Sequence, residues 1–310
     1  MSGMMIREEN LYAARPAAAP LLPLGVLDEP ERQFAESESR LDEAMLTAAG
    51  AIVSLYRGNW VLNRIANDRG RVIGTMIMLD LHFGRGCQGF TVAELRAQAR
   101  RCHVASPNRM TGLAGLLRAS GYLTAMPAAD ARKRKLAPSA TLIDLHRRRM
   151  RALLGGNIIL NPDLAPAMRA LEDDRVLAAM EHAYLRYWRA GCRITGHFPA
   201  LEGLVERDAG FTLLCLLMGG AAKGQSFRIS DLSRYFAISR THALVVMREA
   251  IRFGLVEREA EAGAYSGTPF LTAMMRPLFA RLFDIQAGVA RRALAPSAEA
   301  GTRLRTMGWT

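Results

Sequence analysis

The chain has 310 residues, half of them apolar, and its 41 Lys/Arg against 29 Asp/Glu give a formal charge of +12. That length allows one large or two ordinary domains with real cores, and few aromatics beside many Ala, Leu and Arg favour helices. No apolar run reaches the ~18 residues of a membrane span, the start MSGMMIREEN lacks a signal-peptide core, and Cys87, Cys102, Cys192 and Cys215 form no CxxC pair, so buried thiols, no metal or cofactor, and a cytoplasmic, nucleoid-associated chain are expected.

Residues 1–38 contain AARPAAAPLLPLGVLDEPE, whose prolines preclude a continuous helix. They read as an arm, either free or packed on the body through Leu21, Leu22, Leu24 and Val26. From Ser39 to Asn67, Leu41, Met45, Ala48, Ile52, Leu55, Leu62 and Ile65 recur at helical spacing, with a break at Gly58-Asn59. Arg71–Phe83 is a helix apolar on most faces, hence central, and Gly84–Gly89 a loop. Thr91 with Glu94 three residues on fits a capping box. Val92, Leu95 and Ala99 of that helix face inward; it ends near Cys102, and Val104 anchors the turn.

Ser106 caps the next helix, Pro107 suits its first position, and Gly121 follows its end. Met110, Leu113, Ala114 and Leu117 form the apolar stripe. Asn108, Thr111, Gly112 and Gly115 face the other way, flanked by Arg109 and Arg118. Each exposed helical glycine costs roughly 1 kcal/mol relative to alanine, so two on one face point to close approach by a DNA backbone or another helix. Tyr122–Met126 is a strand, Arg132-Lys133-Arg134-Lys135 a basic tip, and Leu136 begins the return strand: a wing. Thr141–Leu154 is a helix carrying Arg147, Arg148, Arg149 and Arg151, ended by Gly155-Gly156. Asn157–Asp163 links to helices at Leu164–Leu171 and Arg175–Ala190, and Gly191–Gly210 gives a weak signal.

The pattern then returns. Phe211–Met218 matches Gly74–Leu81, and Phe227–Leu232 matches Phe90–Leu95, both at an offset of 137. Beyond the turn the offset becomes 134, which sets Leu244, Met247 and Ile251 over Met110, Leu113 and Leu117; at Gly254-Leu255-Val256 it is 133. This implies a turn about three residues longer in the first copy, and an internal repeat. The expected division is an arm at 1–38, a first unit at 39–155 and a second at 156–310.

Charge separates the copies. Residues 85–151 hold 14 Lys/Arg against 3 Asp/Glu, net +11, whereas 223–292 hold 11 against 6, net +5. A surplus so concentrated suits a polyanion. The second helix of a helix-turn-helix enters the major groove by its N-terminal residues. In the first copy these are Ser106, Asn108, Arg109 and Thr111; Asn suits adenine and Arg suits guanine. Arg132, Lys133, Arg134 and Lys135 at the wing, and the arginines after it, would neutralise phosphates. On the wheel set by the 134 offset, the second copy turns His242, Val245, Val246 and Glu249 outward, and its wing Glu257–Glu261 is acidic. Only Ser239, Arg240 and Thr241 remain as weak DNA contacts there.

Tyr122-Leu123, Asp130-x-Arg132 and Leu136-Ala137-Pro138, followed by a helix, resemble the MarR family of bacterial transcription regulators. That resemblance implies a strand, a D-x-R wing and a return strand in each unit of an obligate dimer on palindromic DNA. It also implies that Asp130 holds the wing and Arg132 enters the minor groove, with effectors binding between the dimer helices and the winged domain. The chain departs from the pattern: it is about twice as long, its wing is a few residues shorter, Ala137 replaces a Thr, and the second copy lacks D-x-R. It would then be a fused pseudo-dimer, mainly α with small β wings, two winged helix-turn-helix units joined by helices into a pseudo-two-fold, dimer-like core.

The resulting expectation is a sequence-specific transcription regulator on double-stranded DNA, not an enzyme, not membrane-bound. The second unit stays open to a small-molecule effector or a protein partner. Plasmid replication initiators resemble the two-unit layout too, and winged helices can instead bind proteins. No GxxxxGK[ST], HExxH or GxSxG stretch is present, and Asp173-Asp174 reads as a solvated helix start.

Overall fold

A computed structural model describes residues 38–66, 68–127 and 134–295. It is mainly helical, with two small antiparallel sheets. Helices α1 (Glu38–Tyr56) and α2 (Trp60–Ile65) are separated by Gly58-Asn59, where the Asn59 side chain caps α2. Then come α3 (Arg69–Phe83), α4 (Val92–Arg101), α5 (Pro107–Ala119), strands β1 (Leu123–Ala125) and β2 (Leu136–Pro138), and α6 (Ala140–Leu160). A 3-10 turn at Pro162–Leu164 leads to α7 (Ala165–Ala170) and α8 (Asp174–Arg189). Another at Ile194–His197 precedes α9 (Pro199–Val205), α10 (Gly210–Ala221), α11 (Ile229–Tyr235), α12 (Arg240–Arg252), strands β3 (Val256–Arg258) and β4 (Tyr265–Gly267), and α13 (Pro269–Leu294).

The starts follow local chemistry. Thr91 and Glu94 form both halves of a capping box. Ser106, Ser139, Ser239 and Thr268 each accept a hydrogen bond from the third residue on, satisfying an otherwise orphaned N–H. Asp173 caps α8.

The order helix, helix, helix, strand, loop, strand, helix occurs twice, and equivalent positions coincide closely. Phe90 bridges Leu136 as Phe227 bridges Tyr265. Gly121 and Gly254 both take the left-handed φ that follows a helix end, 76° and 70°. Ser139 N donates to Tyr122 O as Thr268 N does to Leu255 O.

Two details differ from the sequence expectation. The extra residues of the first run lie mostly in a helix, since α4 has 10 residues and α11 has 7. The offset is already 133 from the caps Ser106 and Ser239 onward, so Ala243, Val246, Met247 and Ala250 are buried where Met110, Leu113, Ala114 and Leu117 are. Leu244 is half-buried and Ile251 exposed.

Helix α6 does not stop at Gly155-Gly156; it continues to Leu160, so the division at 155/156 falls inside it. A Cβ at Gly156 would lie 2.3 Å from Ala44 O on α1, so the glycine lets two backbones touch. The next residue, buried Asn157, donates to Phe283 O (2.8 Å) and to Gln286 Oε1 (3.2 Å) of α13, and Gln286 returns a bond to Met150 O.

The leading helix of each run packs on the other run: α1 lies against α10 as well as α6, and α8 against α3 as well as α13. One apolar core therefore extends from Met45 on α1 through Leu95, Met110 and Leu213 to Phe283 on α13. Of the cysteines, Cys102 and Cys215 are buried as expected, but Cys87 is exposed in the loop before α4.

Candidate nucleic-acid interface

Helix α5 seats its apolar stripe on α3 and α4 and turns the other face outward. Asn108, Thr111, Gly112 and Gly115 are exposed, and a Cβ at either glycine would meet nothing within 4 Å. The glycines therefore serve no contact among the described residues. Thr111 Oγ1 donates to Pro107 O at 3.0 Å, which leaves it an acceptor toward solvent. Ser106 is exposed and engaged as the cap.

Arg109 has a partner that periodicity does not reveal. Its Nη2 lies 2.7 Å from Asp68 Oδ1, a carboxylate with no exposed surface that also caps α3 at Arg71 N. Arg71 Nε sits 3.2 Å from Asp68 Oδ2, and Arg71 Nη1 reaches Asp208 Oδ1 at 2.8 Å. The main-chain oxygen of Asp208 is 2.9 Å from His242 Nε2. His242 is the α12 position equivalent to Arg109. A continuous polar chain, Arg109–Asp68–Arg71–Asp208–His242, thus joins the first turns of α5 and α12.

The basic residues divide into engaged and open ones. Arg132 and Lys133, with Asp130, lie outside the described residues. Arg134 is exposed and Lys135 half-buried beside β2. The arginines of α6, expected to face phosphates, are mostly tied within the chain. Arg147 bonds Leu171 O and Asp174, Arg148 pairs with Asp144, and Arg151 with Glu172. Conversely, Arg96, Arg100 and Arg101 on α4 and Arg118 on α5 are exposed, and no ion pair holds them among the described residues. The sequence reading placed Arg118 on a flank of the helix and did not single out the three on α4. The signal for Arg96, Arg100 and Arg101 was available, because they lie off the Leu95/Ala99 stripe of α4.

In the second run, Ser239 caps α12 and Arg240 and Thr241 are exposed. The expected outward set is corrected by one position. Val246 is buried, and Glu249 is bound by Arg207 at 2.5 Å. Val245 is exposed as expected and His242 is half-buried, and Thr241, Arg248 and Arg252 complete the outward face. The acidic stretch Glu257–Glu261 is exposed, with Glu257 on β3 and Glu259 and Glu261 in the loop after it.

No described helix is long and apolar enough to cross a membrane, and the described residues contain no cluster of three metal-binding side chains. No protein-family model, no curated protein and no solved structure matches the chain.

Proposed function

We propose that the chain is a DNA-binding transcription regulator built from two winged helix-turn-helix units fused into a dimer-like core. The observation that carries this is the outward face of α5. It is uncharged, offers the donors and acceptors of Asn108 and Thr111 and has two open glycines, while Arg118 on the same helix and Arg96, Arg100 and Arg101 on α4, which packs against it, are exposed. Such a face suits base edges, and the flanking cations suit phosphates. The corrected α12 face carries Arg240, Arg248 and Arg252, so the second unit takes a larger share of double-stranded DNA than its sequence pattern indicated.

The test is a gel-shift titration over a range of salt with the double variant Arg96→Glu/Arg100→Glu, both sites being exposed and outside the core. Affinity should fall at least about tenfold, and the salt slope should drop by roughly 1 for each phosphate that is no longer neutralised. Unchanged affinity and slope would overturn the reading.

One observation favours a second reading for the second unit. Val245 (38% exposed), Ile251 (39%) and Phe270 (50%) present apolar surface there, which suits a protein partner.

A further inference from the structure

The turn between α1 and α2 is tied to the second run, since Gly58 N donates to Tyr235 O at the end of α11 (2.8 Å). An open groove of about 480 Å³ lies along this turn and reaches α6. Its apolar lining is Leu55, Trp60 and Val61, and its charges are Arg57 and Arg148. Ser54, Gly58 and Asn59 complete it, and the two polar side chains are already used: Ser54 donates to Gly50 O, and Asn59 caps α2. No carboxylate lines the groove among the described residues.

Trp60 is 60% exposed, more than any other large apolar side chain described. No ring, cation or hydrogen bond engages it among the described residues. Arg57 places Cζ 3.8 Å from the centre of the Tyr235 ring, and Arg234 flanks the same ring at 5.9 Å. Arg64, one turn along α2 from Trp60, is exposed as well. Arg148 pairs with Asp144 (2.9 Å) and Arg234 with Asp231 (2.6 Å), but both guanidiniums stay exposed, and such pairs compete weakly with another anion. Arg234, Tyr235, Arg57, Trp60 and Arg148 thus form a track in which cations and rings interleave.

An exposed indole beside cations calls for a partner that carries anions and rings together. A DNA duplex supplies the anions but keeps its bases stacked inside, out of reach of Trp60. An acidic peptide supplies the anions without a ring beside each one. A single strand supplies a phosphate and an unstacked base at every nucleotide.

We propose that this groove binds single-stranded nucleic acid, with a base stacked on Trp60 and phosphates on Arg57 and Arg148. No residue of α5 lines it, so the site stands apart from the duplex-reading face.

Fluorescence anisotropy of the full chain tests it with three labelled strands of about 12 nucleotides: oligothymidylate, oligouridylate and an abasic strand with the same phosphates. At least one base-bearing strand should bind about tenfold more tightly than the abasic one, and the tighter of the two assigns the groove to DNA or to RNA. Trp60→Ala should remove that preference, with circular dichroism confirming that the chain is folded, whereas Trp60→Phe keeps a ring and should retain most of it. Arg57→Ala should weaken all three strands several-fold. Duplex affinity in a gel shift should be the same in Trp60→Ala as in wild type, which separates a failure of this site from a failure of the duplex reading. Equal wild-type affinity for abasic and base-bearing strands, or an undiminished preference in folded Trp60→Ala, would overturn the proposal. Displacement of oligothymidylate by an oligoglutamate peptide at comparable concentration would also overturn it, by assigning the groove to an acidic protein segment.

Discussion

Asp68 combines three structural roles at the candidate interface. It caps α3, pairs with Arg71 and holds Arg109 while having no exposed surface of its own. Removing it leaves two cations and a helix N-terminus without their acceptor. Asp68→Ala should therefore cost about 2–4 kcal/mol in urea denaturation. Arg109→Ala, whose side chain is 42% exposed, should cost about 1 kcal/mol or less. Nothing in local sequence pairs these residues, because a helical wheel reports burial along one element and not the partner that folding brings to it. Asp80 gives a pH test at the same scale. Burial raises its pKa, but hydrogen bonds from His182 and Arg189 on α8 outweigh that and hold it below the usual carboxylate value. A depressed folded pKa adds stability that is complete above the unfolded value of about 3.9 and is lost as pH falls through the folded one. Wild type should accordingly lose stability on acidification below about pH 4, and Asp80→Asn should be less stable at pH 7 and flatter over that acid range; equal acid slopes would discount the pair.

At the scale of elements, the caps were legible and the registers only partly so. Thr91 and Ser106 each sit one residue before a helix, because capping is chemistry within four residues. The register of α12 was not legible. Leu244 and Ile251 are as apolar as the residues that are buried, and packing against α9 and α11 selects Ala243, Val246, Met247 and Ala250. The end of α6 was misread for a related reason. Paired glycines normally stop a helix, but here Gly156 is required for the approach of α1 and Gly155 meets nothing within 4 Å. The two should respond oppositely. Gly155→Ala should stabilise by roughly 0.5–1 kcal/mol through helix propensity. Gly156→Ala drives a methyl into the Ala44 carbonyl and should destabilise by about 1–3 kcal/mol. Thermal melts of the pair decide whether close helix contact or helix ending is the reason for the doublet. Gly112→Ala and Gly115→Ala extend the test to the outward face of α5. Each should stabilise the fold by a similar ~0.5–1 kcal/mol, since the space is open, while weakening DNA binding if that face is the one that docks.

At the scale of the molecule, the sequence repeat suggests two consecutive units, and the packing makes them interdependent. Helix α1 covers α10 of the second run, and α8 covers α3 of the first. Asp80 of α3 is bound from α8, Arg276 of α13 pairs with Asp42 of α1, and Asn157 and Gln286 join α6 to α13. A chain cut between Asn161 and Pro162 would leave α3 and α10 each without the helix that covers it. These two helices are buried along most of their lengths, so each fragment would expose a central apolar surface. The full chain should then unfold in one transition, with fluorescence of Trp60 and Trp188 and helical circular dichroism coinciding. Fragments 38–161 and 162–295 expressed singly should show no cooperative melt, and mixing them should restore one. If fragment 38–161 melts cooperatively as a monomer, the cross-packing is dispensable, and the two runs are independent domains joined through α6 and α7.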